Sequence, residues 1–142
     1  MRKMGLDIGD KRIGIAVSDP LNCTAQAREV LERSQHHREL EVFKKYITEY
    51  QITEIIVGLP KNMDNSCGHQ AKKVKEYVNF LKNNLDIPII FWDERLSSRE
   101  AQKLLIKADL RRSHRKDVID KVAAAIILQG YLNFEKNKKT GG

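Results

Sequence analysis

The sequence predicts an α/β domain: a five-stranded mixed sheet, in which an antiparallel hairpin unit joins two parallel strands, with helices on both faces. Three observations predict it. Two apolar, β-branched runs, 3–8 and 12–18, flank the turn Gly9-Asp10-Lys11, as a tight hairpin requires. Two later runs, Thr53–Pro60 and Ile87–Trp92, are apolar almost throughout, the pattern of strands covered on both faces of a parallel sheet. The segments around them carry apolar residues at spacings of three and four, which is helical periodicity.

The elements follow in order. After the turn signal Asp19-Pro20-Leu21-Asn22, residues Thr24 to Glu32 alternate loosely and read as a third, edge strand. Leu40, Phe43, Ile47 and Tyr50 mark an amphipathic helix over His36–Tyr50, with Ser34 as its N-cap. The central strand ends at Gly58 and Pro60, and Lys61 to Ser66 form a loop. A second helix runs from about Ser66 to Asn84, with Val74, Val78 and Leu81 on its inner face. The strand Ile87–Trp92 ends on Asp93-Glu94-Arg95. Ser97-Ser98-Arg99-Glu100 is a capping box, so a third helix starts there and continues to about Lys107. Asp109 to Lys116 is a basic loop, and a last helix spans about Asp117 to Glu135, its Ala123-Ala124-Ala125 run allowing close approach to the sheet. Right-handed crossovers place the two later strands parallel to the first. That order is the ribonuclease H-like layout, one domain over 1–135 with a solvated tail at 136–142.

Composition narrows the function classes. A chain of 142 residues suits one domain with a proper core. Among its residues no apolar run approaches the roughly 20 needed to span a membrane, so a soluble protein with no membrane partner is expected. Met1-Arg2-Lys3-Met4 leads straight into the first strand without the features of a signal peptide, which points to the cytoplasm. Cys23 and Cys67 are far apart and lack metal-ligand spacing, the pattern of free thiols. A net charge of +7 favours a polyanionic partner such as nucleic acid.

The chemistry gathers where open α/β sheets place their sites, beyond the carboxyl ends of the parallel strands. Asp7 sits in an apolar hairpin, where burying a carboxylate is costly without a cation or hydrogen bonds; it is either a ligand or a strand-end residue bonded to backbone. Asp93 and Glu94 close the last strand, as a polar exit or as part of an acidic site. Asp117 and Asp120 share one face of the last helix, and Asp120, next to Ile119 and Val122, is the better placed to face the sheet. Clustered hard oxygens suit Mg²⁺ or Mn²⁺, and two such ions roughly 4 Å apart can promote phosphodiester hydrolysis. Substrate contacts fall to Lys11, Arg12, Lys61, Asn62, Arg95, Arg111, Arg112, Arg115 and Lys116, cations or amides beside the acidic end that would hold phosphates. The loop from Lys61 to Ser66 also offers backbone amides at a helix start. Trp92 reads as either a base-stacking surface or core, and His36, His37, His69 and His114 show no ligand spacing.

At these residues the sequence closely resembles the YqgF family, also called RuvX, named as Holliday-junction resolvases and now regarded as nucleases of ribosomal RNA maturation. The resemblance runs almost end to end. It is carried by Leu6-Asp7-Ile8-Gly9-Asp10-Lys11-Arg12-Ile13-Gly14, by Val57-Gly58-Leu59-Pro60-Lys61-Asn62-Met63-Asp64, by Asp93-Glu94-Arg95-Leu96-Ser97-Ser98, and by Ile119-Asp120-Lys121-Val122-Ala123-Ala124 with Ile127-Leu128-Gln129. Asn65 stands where the family often has Gly. The resemblance implies a ribonuclease H-like fold, divalent-metal phosphodiester cleavage and a catalytic and metal-binding set of Asp7, Glu94 and Asp120, with Asp93 as the alternative to Glu94. It implies structured RNA as substrate, the 5′ end of the pre-16S ribosomal RNA precursor, and association with ribosome assembly. Branched DNA is the alternative substrate, although Ile55-Ile56-Val57-Gly58 carries no acid where resolvases related to RuvC have one. Two other readings compete: an actin-like ATPase, which needs a second such domain, and a non-catalytic RNA-binding module, which would show no metal-dependent cleavage.

Overall fold

The computed structural model describes residues 1–60, 68–94 and 115–140, the side chains of 115–121 and 139–140 excepted. Strands β1 (Arg2–Ile8), β2 (Arg12–Ser18) and β3 (Ala25–Glu32) precede helix α1 (His36–Tyr50). They are followed by β4 (Ile52–Leu59), α2 (His69–Asn84), β5 (Ile89–Asp93) and α3 (Arg115–Thr140). The predicted capping box and helix at 97–107, the loop Lys61–Ser66 and residues 109–114 of the basic loop lie outside the described residues.

The five strands form one sheet in the order β3-β2-β1-β4-β5. The β1–β2 and β2–β3 pairs are antiparallel, and β1–β4 and β4–β5 are parallel. This is the mixed sheet expected from the hairpin and the two apolar runs, with β3 at the edge. Alternation along β1 divides its side chains between two cores. Met4, Leu6 and Ile8 join Ile55, Val57 and the inner faces of α1 and α2, including Phe43, Val74, Val78 and Leu81. On the other side α3 covers the sheet with Ala124, Ala125, Ile127, Leu128 and Tyr131, against Ala16, Ile56 and Trp92. The predicted alanine run does what small residues permit. A Cβ on Gly5 would lie 2.8 Å from Leu128 Cβ and 2.9 Å from the Ala124 carbonyl oxygen, so α3 rests directly on the β1 backbone.

Three local expectations change. Ser34 does not cap α1: Gln35 holds the N-cap position without a side-chain bond, and the Ser34 N–H instead donates to Glu39 Oε2 at 2.9 Å. Arg115 and Lys116, assigned to the basic loop, are the first residues of α3. That helix also runs past the expected end at Glu135 to Thr140, so the first part of the solvated tail is helical, with Lys136, Asn137 and Lys138 exposed. The missed length has a physical source, since a helix can extend beyond its packed face on charged residues of good propensity such as Glu and Lys.

Candidate active site

The site is built at the carboxyl ends of β1, β4 and β5. The last β1–β4 pair is Leu6 with Val57, and the β4–β5 pairs reach Gly58 with Trp92 and Leu59 with Asp93. Asp7 and Gly58 therefore follow side by side. Gly5 abuts α3, so Asp7, two residues on, shares the α3 face, and it is half-buried there. Trp92 belongs to the α3 core and Phe91 packs on the opposite one. Alternation sends Asp93 toward the Phe91 side.

Glu94 turns back over Gly58. A Cβ at position 58 would lie 2.8 Å from Glu94 Oε1 and 2.9 Å from Ile127 Cγ1, and would collide with Ile127 Cδ1. The missing side chain is thus the space in which the Glu94 carboxylate lies, walled by α3. Burial there, reinforced by the negative charges of Asp7 and Asp93, pushes the Glu94 carboxyl up to about 7. Carboxylates brought together in this way repel one another, and a divalent cation relieves that repulsion. Sequence reasoning overlooked Gly58 in this role. The signal available was a glycine in an otherwise β-branched strand, which marks close approach of another group.

Asp120 lies within α3, one turn before Ala124, and its side chain is outside the described residues. Lys11 and Arg12 are exposed on the hairpin turn directly after Asp7. Lys61, Asn62, Arg95, Arg111 and Arg112 lie outside the described residues, as do the side chains of Arg115 and Lys116. Among the described residues, no group of three or more His, Cys, Asp and Glu side chains has metal-binding geometry.

Trp92 is settled as core. Its ring meets Tyr131 edge-on at 5.7 Å and Phe134 at 5.5 Å, and its buried Nε1, 3.0 Å from where a Gly130 Cβ would be, has no hydrogen-bond partner. The base-stacking reading of Trp92 is overturned, because the side chain is buried in the core beneath α3. His36 meets Tyr77 edge-on and Phe80 at a tilt, both at 5.1 Å. Cys23 is a free, exposed thiol, as expected. No described helix is long and apolar enough to cross a membrane.

Sequence reasoning also missed a buried ionic group beneath the turn. Glu39 of α1 is fully buried, and its carboxylate accepts hydrogen bonds from Tyr77 Oη at 2.7 Å, the Ser34 N–H at 2.9 Å and Arg33 Nε at 2.8 Å. Burial pushes this carboxyl upward, but the three hydrogen bonds and the Arg33 charge outweigh it and hold it below the usual range. The only sequence sign was a Glu in the first turn of a helix, which ordinarily serves the helix dipole in solvent.

An antiparallel hairpin unit, two parallel strands and acids at their shared carboxyl end define the ribonuclease H-like class. Solved structures agree on the fold. Thermus thermophilus RuvC, in complex with a Holliday junction substrate, superposes with a TM-score of 0.60 at 16% identity, over 95% of this chain and 96% of that one. The fowlpox virus Holliday junction resolvase gives 0.52 at 13%, over 94% and 99%. The chain belongs to the RuvX family, whose model, described as Holliday junction resolvase, matches residues 1–134. Its curated relatives include proteins named "Putative pre-16S rRNA nuclease". The one from Halothermothrix orenii is 56% identical over 141 residues, 99% of this chain and 100% of the relative. The one from Thermoanaerobacter pseudethanolicus is 52% identical over 139 residues, 97% and 100%. The family makes this chain a nuclease, a hydrolase acting on nucleic acid.

Proposed function

We propose that the protein is a cytoplasmic, divalent-metal-dependent nuclease that matures the 5′ end of pre-16S ribosomal RNA, with Asp7, Glu94 and Asp120 as its catalytic and metal-binding acids. The observation that carries this is the Glu94 carboxylate lying over Gly58, raised to about 7 by burial and by Asp7 and Asp93. Charge crowding of this kind has a price in the metal-free protein that a bound cation removes. The donor set fits Mg²⁺ or Mn²⁺, because carboxylate oxygens are the hard ligands these ions prefer. Helical periodicity supports Asp120 as the third acid. Position 120 precedes Ala124 and Leu128 by one and two turns, the two residues that touch β1 at Gly5. Glu94 is favoured over Asp93 because alternation along β5 turns Asp93 to the other face.

When bound, divalent metal activates water and stabilises the leaving oxygen of a phosphodiester. The chain's own residues supply the frame. Asp7 and Glu94 hold oxygens at the ends of β1 and β5, on either side of β4, and Gly58 keeps the space between strand and helix clear. Lys11 and Arg12 on the turn, with Lys61, Asn62, Arg95, Arg111, Arg112, Arg115 and Lys116, would hold the phosphates of the substrate on either side. The overall charge of +7 favours such a polyanion, and work on a ribosomal precursor implies association with assembling subunits.

The name of the pre-16S relatives supports RNA, while the family description supports a four-way DNA junction as a second reading. Incubating the wild type with Mg²⁺ and equal amounts of 5′-extended 16S precursor and four-way junction decides between them. Precursor cleavage with the junction intact is the expected result. Junction cleavage by a dimer, with the precursor untouched, would replace this reading by the resolvase.

A further inference from the structure

The hairpin turn that follows Asp7 is held from below by Arg33. Arg33 Nη1 donates to the Gly9 carbonyl at 2.7 Å, and the Arg33 N–H donates to the Lys11 carbonyl at 2.9 Å. The Gly9 N–H closes the turn on the Arg12 carbonyl at 2.9 Å. Arg33 is itself held in place. Its Nε is tied to Glu39 at 2.8 Å, and its guanidinium lies 4.7 Å above the Tyr77 ring. Glu39 is fixed from α1 and by Tyr77 of α2, so two helices and the β3–α1 connection converge on a single backbone carbonyl.

A buried ion pair is weak evidence of a stabilising role, since apolar residues of similar volume often serve stability as well or better. What apolar residues cannot do is grip a carbonyl in a turn. The Gly9 carbonyl is two residues from Asp7, and the gripped turn also carries Lys11 and Arg12.

We infer that Arg33, clamped by Glu39 and Tyr77, is a positioning residue that fixes the Gly9–Arg12 turn and thereby the placement of Asp7 for divalent metal. The metal half of this inference rests on the function proposed above; the anchoring half does not. Groups behind a ligand typically change metal affinity by about 10–100-fold when removed.

The test uses the full chain and two variants, Arg33→Lys and Glu39→Gln. The first keeps a cation but loses the fork that reaches Glu39 and Gly9 together; the second keeps the volume and loses the charge. Phe43→Leu, a core change in α1 that alters none of these hydrogen-bonding groups, is the control for lowered stability. Amide hydrogen exchange at Gly9 and Arg33 is measured without metal, and Mn²⁺ affinity is measured by calorimetry well below each unfolding midpoint. Exchange at least about fivefold faster, with Mn²⁺ binding about tenfold weaker, in both variants but not in Phe43→Leu is the expected outcome. Unchanged exchange overturns the anchoring. Faster exchange with wild-type Mn²⁺ affinity, or equal weakening by Phe43→Leu, overturns the positioning of Asp7. A wild type that binds no Mn²⁺ refutes the metal reading itself, and the exchange arm then decides the anchoring by itself.

Discussion

Replacing Glu94 by Gln should stabilise the metal-free protein at neutral pH, an unusual sign for a substitution in a half-buried site. Folding raises the Glu94 carboxyl from its ordinary 4.5 to about 7, through burial first and the charges of Asp7 and Asp93 second. The folded state therefore binds this proton more tightly than the unfolded chain does, and stability falls as pH rises from about 4.5 to about 7. At about 1.4 kcal/mol per unit, the full shift would cost about 3 kcal/mol above pH 7. Glu94 retains contact with solvent, and screening reduces this to about 1–2 kcal/mol. Glu94→Gln removes the charge and keeps the shape. Urea unfolding in chelator should show Glu94→Gln more stable than wild type by about 1–2 kcal/mol at pH 8, and equal to it near pH 4.5, where the wild-type carboxyl is protonated. Adding Mg²⁺ at pH 8 should then raise the stability of the wild type and leave the variant unmoved, because only a folded state that binds the ion gains from it. A variant less stable than wild type at pH 8, or a difference independent of pH, would refute the charge-crowding argument.

Other outcomes follow from the same geometry. Gly58→Ala puts a methyl group where Glu94 Oε1 and Ile127 lie, so it should cost about 1–3 kcal/mol by overpacking and weaken Mn²⁺ binding, read by urea unfolding and calorimetry. Gln129 accepts from the Ala25 N–H at 2.9 Å and donates to the Cys23 carbonyl at 3.0 Å, tying α3 to the start of the edge strand. Gln129→Ala should cost about 1–2 kcal/mol and speed amide exchange at Ala25. Gln51 ends α1 in the left-handed conformation, with φ 54°. Gln51→Gly should raise the unfolding midpoint by the equivalent of about 1 kcal/mol, with activity unchanged.

The sheet was legible because its strands differ in kind. The hairpin announced itself by turn residues between β-branched runs, and the buried parallel strands by the lack of alternation in Ile55–Val57 and Ile89–Phe91. Helix interiors were legible for the same reason, through their apolar spacing. Helix ends were less so. The cap of α1 depends on where the Glu39 carboxylate goes, and that is set by Tyr77, far away in sequence, so Ser34 could not be excluded as the cap from its neighbours. Asp7 and Glu94 were readable as acids at strand ends, yet the space between them was not. Gly58 acquires its meaning only when α3 packs down and leaves room for a single carboxylate. Nothing local signals that Glu39 is fully buried or that Arg33 pairs with it.

The central claim is that Asp7 anchors a divalent-metal site that cuts RNA. Its most direct test is the cleavage of 5′-extended 16S precursor by wild type and by Asp7→Asn, each in Mg²⁺ and in chelator, with unfolding curves showing both proteins folded. Cleavage by the wild type in Mg²⁺ alone is expected, with a loss of at least about 100-fold in Asp7→Asn, the scale of losing metal stabilisation of the transition state. Cleavage that persists in chelator, or at the wild-type rate in Asp7→Asn, would contradict it.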